Sequence, residues 1–101
     1  MGSEFSYAKL LSILIITMIY YLYILVCSDG SLYTGITNNL IKRFNSHKMG
    51  IGSKYVKSRL PFKQVYLEEH ATKSSALKRE LEIKSWNRLK KITDLKLNLG
   101  I

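Results

Sequence analysis

The chain has 101 residues, 16 Lys and Arg against 7 Asp and Glu, and a formal charge of +9. That length holds one small domain and excludes a multidomain machine or a large cofactor-binding fold. One cysteine and two histidines exclude a disulfide framework and a Cys/His-rich metal cage, and 47% hydrophobic residues with one proline exclude a disordered chain. Residues 1–37 hold one basic residue, Lys9, against Glu4 and Asp29, and the other 15 basic and 5 acidic residues lie in 38–101. A basic face of this kind on a small core points to a polyanionic partner.

In chain order, Met1–Phe5 resembles a cloning-derived leader, and Leu10–Ser28 carries no charged residue. A run of that length matches a membrane span. Its second half, Tyr20–Val26, is aromatic and β-branched and leads into Ser28-Asp29-Gly30-Ser31, which favours a strand and a hairpin turn. A paired strand cannot also be a lipid-embedded helix. Residues 1–17 are therefore expected to be a leader and a short apolar helical appendage, and 18–101 the domain proper, soluble and intracellular.

Leu32–Ile36 reads as the returning strand, and Thr37-Asn38-Asn39 caps a helix that Met49–Ser53 breaks. Lys54–Pro61 reads as a basic loop and Phe62–Leu67 as a third strand. Thr72–Ser75 caps a helix over about 75–89, with a short turn or helix over 92–101. The order β-β-α-β-α gives a small α/β (α+β) domain, a three-stranded antiparallel sheet flanked by helices.

Helical spacing exposes three polar residues that are out of place. At about 100° per residue, His47 falls within about 20° of Leu40, Phe44 within about 40°, and Arg43 about 60° away at the edge of that apolar face. On the later helix, Glu80 lies about 40° from Ala76, inside an arc that also includes Leu77, Leu81 and Ile83, whereas Glu82 falls on the far side with Lys78 and Arg79. An inward carboxylate needs a partner, either a metal ion or a cation such as Arg43 or a basic loop residue. An inward Glu, an edge Arg, a His and several tyrosines on a basic domain have the make-up of a phosphodiester site.

Tyr21-Leu22-Tyr23, with Tyr33-Thr34-Gly35 ten residues on, resembles the paired motifs of the GIY-YIG nuclease superfamily. Cys27–Thr37, Ser53-Lys54-Tyr55 and Ala76–Glu80 are similar to its short stand-alone branch. The first motif departs from the family pattern in having Tyr21 in place of glycine, and the late asparagine of larger members has no clear counterpart. The resemblance implies a metal-dependent endonuclease that hydrolyses phosphodiester bonds, DNA before RNA, with structure rather than sequence selectivity and a role in repair or recombination. It implies Tyr23, Tyr33, Arg43, His47 and Glu80 as catalytic residues, with Glu80 holding Mg²⁺ or Mn²⁺ and no small-molecule cofactor. Either tyrosine would orient or deprotonate the water, with His47 as relay. Gly35, Lys54, Tyr55 and Arg59 fall to nucleic-acid binding, Tyr55 by stacking on a base. The alternatives are a catalytically inactive nucleic-acid-binding module on the same fold and a membrane-anchored protein using residues 10–26. A two-tyrosine site sets one geometric condition. A two-residue turn on Asp29-Gly30 would place Tyr23 and Tyr33 on opposite faces, so an odd-length loop with Gly30 in the left-handed region is expected.

Overall fold

The computed structural model describes residues 6–100. The elements run α1 (Tyr7–Met18), β1 (Tyr20–Cys27), β2 (Leu32–Thr37), α2 (Leu40–Lys48), α3 (Lys54–Lys57), β3 (Phe62–His70), α4 (Lys73–Lys84) and α5 (Arg88–Asp94). The leader reading of residues 1–5 lies outside the described residues.

The strands form one antiparallel sheet in the order β2-β1-β3. Leu22, Tyr23, Ile24 and Leu25 of the central strand are all fully buried, because both faces of the sheet are covered. Leu22 and Ile24 pack with Ile83 of α4, Trp86, Ile92 of α5 and Leu97, whereas Tyr23 and Leu25 pack with Leu40 and Phe44 of α2, Val56 of α3 and Phe62. A strand buried on both faces reads as a continuous apolar run, and this is why Leu10–Ser28 mimics a membrane span in sequence. The run is in fact divided between α1 and β1. At 12 residues α1 is about 18 Å long, short of a hydrocarbon core about 30 Å thick. Among the described residues no helix is long and apolar enough to cross a membrane.

The β1–β2 hairpin meets the geometric condition. Cys27 N–H donates to Ser31 O and Gly30 N–H to Cys27 O, both at 2.9 Å, closing a three-residue loop with Gly30 at φ +82°. Leu25 then opposes Tyr33, and Tyr23 opposes Gly35. Tyr23 and Tyr33 therefore share the face covered by α2 and α3. On the other side of β1, Ile24 pairs with Tyr66 but Leu25 with Gln64, so Val65 bulges. The bulge lets the sequence neighbours Val65 and Tyr66 join the same core while Phe62 reaches the opposite one.

Two sequence expectations are corrected. Residues 54–57, read as loop, form one helical turn, because Ser53 Oγ caps the Val56 N–H at 3.4 Å and Val56 is an apolar anchor with no exposure. The helix expected over 75–89 spans Lys73–Lys84. Trp86 turns into the core there, and Asn87 restarts the chain as the cap of α5, its Oδ1 accepting from Lys90 N–H at 2.8 Å. Sequence periodicity alone does not resolve that break, because Ser, Trp and Asn are all tolerated within a helix.

Candidate active site

The face of the sheet under α2 carries His47 and Arg43, two of the three polar residues singled out by spacing. Asn39 caps α2 by accepting from Lys42 N–H at 3.0 Å, which sets the rotation of the helix and turns His47 inward. His47 is fully buried, and its Nε2 lies 2.9 Å from the hydroxyl of the equally buried Tyr23. Its ring is boxed edge-on by Tyr23, Tyr33 and Phe62, at centroid distances of 5.9, 5.4 and 5.8 Å. Nδ1 of His47 is buried with no hydrogen-bond partner. An orphaned N–H is rarer than an unused lone pair, so the proton is assigned to Nε2, and Tyr23 Oη accepts it.

Two glycines make this packing possible. A Cβ at Gly35, directly across from Tyr23, would lie 2.6 Å from Tyr23 Oη and 2.7 Å from Cζ. A Cβ at Gly52 would lie 2.8 Å from His47 Nδ1. Sequence reading treated Gly52 only as part of a helix break. The available signal was that Met49–Ser53 contains two glycines, although only Gly50, at φ +78°, needs glycine's backbone freedom.

Burial pushes the Tyr23 hydroxyl well above the ordinary tyrosine range. Tyr33 adds to the rise through charge and hydrogen bonding, Arg43 opposes it, and Glu80 makes the smallest contribution upward. Burial, and then the charge of Arg43, push His47 down. Tyr23 and His47 are therefore a neutral pair, and Tyr33, Arg43 and Glu80 lie within electrostatic reach of the Tyr23 hydroxyl. Tyr33 is only half-buried, so it is the more accessible of the two tyrosines.

The side chain of Arg43, half-buried, has no ion-pair or hydrogen-bond partner among the described residues, and it lines a polar recess with Asn38, Lys42, Ser46 and Gly52. Glu80 projects from α4, which packs against β1 and β2. Its side chain is 15% exposed and pairs with Lys84 Nζ at 3.2 Å. Sequence spacing left Arg43 or a basic loop residue as its cationic partner, but the partner is one helical turn away on its own helix. The buried arc of α4 is also narrower than expected: Ala76 and Ile83 are buried, but Leu77 and Leu81 are exposed.

No group of three or more His, Cys, Asp or Glu residues gathers among the described residues, so an all-protein metal cage is absent there. A single shielded carboxylate nevertheless suits a hard divalent cation such as Mg²⁺, which keeps several waters and takes one or two carboxylates with phosphate oxygens. Lys54 is exposed. Arg59, expected to grip phosphate, instead bonds Asp29 and the Tyr55 carbonyl, each at 3.0 Å.

A family model described as the GIY-YIG catalytic domain matches residues 19–93. A UPF0213 protein of Staphylococcus saprophyticus is 52% identical over 73 residues, covering 72% of this chain and 89% of the relative. One from Staphylococcus aureus is 49% identical over 77 residues, covering 76% and 94%. The solution structure of a UPF0213 protein from Bacillus halodurans is 39% identical, covers 78% of this chain and 84% of its own, and superposes with a TM-score of 0.53. That of a protein from E. faecalis is 35% identical, covers 77% and 83%, and has a TM-score of 0.58.

Proposed function

Because the chain belongs to the GIY-YIG family, a nuclease family, we propose that it is a metal-dependent endonuclease hydrolysing phosphodiester bonds of nucleic acid, DNA before RNA. The observation that carries this reading is the buried Tyr23–His47 hydrogen bond on the helix-covered face that also bears Arg43, whose side chain has no partner among the described residues. Glu80 would hold the cation, Mg²⁺ or Mn²⁺, which when bound supplies Lewis-acid polarisation of the phosphate and stabilisation of the leaving oxygen. Arg43, having no carboxylate of its own, receives a non-bridging phosphate oxygen and neutralises the charge that develops on it. Tyr33 faces the attacking water. His47 Nε2–H donates to Tyr23, which turns the Tyr23 proton toward Tyr33; that hydrogen bond would stabilise Tyr33 as the phenolate, its own proton released to solvent, and the phenolate would take a proton from the attacking water and become neutral again. Tyr23 is too deeply buried to act as the base itself.

Lys54 and Lys42, both exposed, would hold flanking phosphates without reading bases, which favours structural over sequence selectivity. Residues 18–101 would constitute the active domain, so deletion of 1–17 should leave melting and cleavage intact.

The deciding experiment is cleavage of linear, flapped and branched DNA and of RNA by wild type and Glu80→Ala. Wild type should nick in Mg²⁺ or Mn²⁺, and Glu80→Ala should lose roughly a thousandfold in rate while still binding. A wild-type protein that binds all these substrates and cuts none would instead be a binding module.

A further inference from the structure

The proposed chemistry uses Tyr33, Gly35 and Lys54 but leaves Cys27–Ser31 and Tyr55, from the same two motifs, without a task. The structure joins them through one column of side chains. Asp29, at the tip of the hairpin, accepts on Oδ1 from Ser31 N–H at 2.9 Å and Ser31 Oγ at 2.5 Å, and on Oδ2 from Arg59 Nε at 3.0 Å. The Arg59 guanidinium also donates from Nη1 to Tyr55 O and Ser58 Oγ, both at 3.0 Å, and lies over the Tyr55 ring with Cζ 3.8 Å from the centroid. The Tyr55 ring in turn stacks on Tyr33, centroids 6.0 Å apart and planes at 29°. A second tether runs beside the first, with Ser28 N–H and Oγ each donating to Arg59 O at 2.9 Å.

The column ends on the site ring that its surroundings hold least. Tyr23 and His47 have no exposure and are fixed by packing, whereas Tyr33 is half-buried on an edge strand. Tyr55 is 37% exposed, but its ring is engaged within the protein by the Arg59 guanidinium and by Tyr33. Nε and Nη1 of Arg59 are engaged by Asp29, Ser58 and a backbone carbonyl.

We propose that Asp29, Arg59 and Tyr55 are positioning residues, a brace that holds the Tyr33 ring in register with Tyr23 and His47. The inference rests on the nuclease reading for its effect on rate, but not for its effect on the ring. A reacting group displaced by about 1 Å costs on the order of a hundredfold in rate, so a brace of this kind governs kcat rather than substrate binding.

The test uses Arg59→Lys and Asp29→Asn in the full chain, with folding checked by circular dichroism. Lysine keeps the charge of Arg59 but loses the flat fork that stacks on Tyr55 and bonds two partners. Both variants should lower kcat by about tenfold, leave KM and its salt dependence unchanged, and shift and broaden the Tyr33 ring signals of ¹³C-tyrosine-labelled protein. Arg59 as a phosphate ligand makes the opposite predictions. Arg59→Lys would then keep kcat, Arg59→Gln would lower the salt slope of binding by about one, and Asp29→Asn would tighten binding by freeing the guanidinium. Any of those three results overturns the brace. The ring signals are read in the free protein, so inactivity of the wild type would sink the nuclease reading alone. Unchanged Tyr33 signals in both variants would sink the brace, whatever the activity.

Discussion

Two clusters of buried and half-buried polar side chains among the described residues are built on opposite terms. Where β3 meets α4, every group is paired. Glu68 accepts from Tyr66 at 2.6 Å, from Arg79 at 3.1 and 3.2 Å, and lies 2.6 Å from His70 Nε2. Arg79 also holds Glu82, and His70 Nδ1 meets Ser75 Oγ at 2.6 Å. Under α2, His47 leaves a buried nitrogen unpaired and Arg43 has no counter-charge. A satisfied network ties a strand to a helix and has no capacity left for a ligand. An under-satisfied one costs stability and keeps its hydrogen bonds and charge for a substrate. Both clusters contain a histidine, an arginine, a tyrosine and a nearby glutamate, so residue type does not separate the functional cluster from the structural one. Pairing does.

Substitutions in the two clusters should therefore fail in different ways. The largest effect is expected from Glu80→Ala, a roughly thousandfold loss of metal-dependent cleavage with the melting temperature within a few degrees of wild type. Gly35→Ala should be costly on both counts, because its Cβ would overlap Tyr23 Oη at 2.6 Å. A destabilisation of about 1–3 kcal/mol in urea, together with loss of cleavage, is expected.

The structural cluster is probed by Glu68→Gln, expected to cost about 2 kcal/mol with no change in kcat once folded. Acid titration separates the clusters further. Burial alone would raise the Glu68 carboxyl, but hydrogen bonds from Tyr66 and His70 and the charge of Arg79 outweigh it and hold it below its ordinary 4.5. With a folded value below the unfolded one, its contribution is fully present above pH 4.5 and is lost as pH falls through the folded value. His47 is also depressed, from 6.5, but its charged form is the protonated one. Its buried neutral state begins to penalise folding as soon as pH falls below 6.5 and the unfolded chain takes up the proton. Stability measured against pH should therefore erode first in the His47 window and later in the Glu68 window. His47→Gln should flatten only the first and Glu68→Gln only the second. The smallest effect is expected from Leu81→Ser, within about 0.5 kcal/mol of wild type, because Leu81 is 69% exposed although spacing had placed it in the apolar arc.

Much of the site was legible before the fold was known. His47 and Glu80 stood out because charged or polar residues on an apolar helical face need a reason. A two-tyrosine site required Tyr23 and Tyr33 to share a face, strand parity turned that into an odd-length loop, and the three-residue loop with Gly30 at positive φ meets that condition. Arg43 was legible as an edge cation, but its isolation was not, since pairing depends on which side chains approach it from other elements. The helical turn at Lys54–Lys57 was hidden by its shortness, and the break at Ser85–Asn87 by residues that suit a helix as well as a turn.

The sequence by itself determined the local terms of this protein: a β-β-α-β-α order, caps within Thr37–Asn39 and Thr72–Ser75, strand parity, and an acid turned inward on α4. These depend on neighbours within one turn or one hairpin, where backbone geometry sets which residues meet. Only the tertiary structure decided that Tyr23 bonds His47 across 24 residues, that Gly35 and Gly52 clear the space for those rings, and that Arg59 is held by Asp29 at the far end of a 30-residue separation. Such contacts arise where layers pack, and packing is a property of the whole chain.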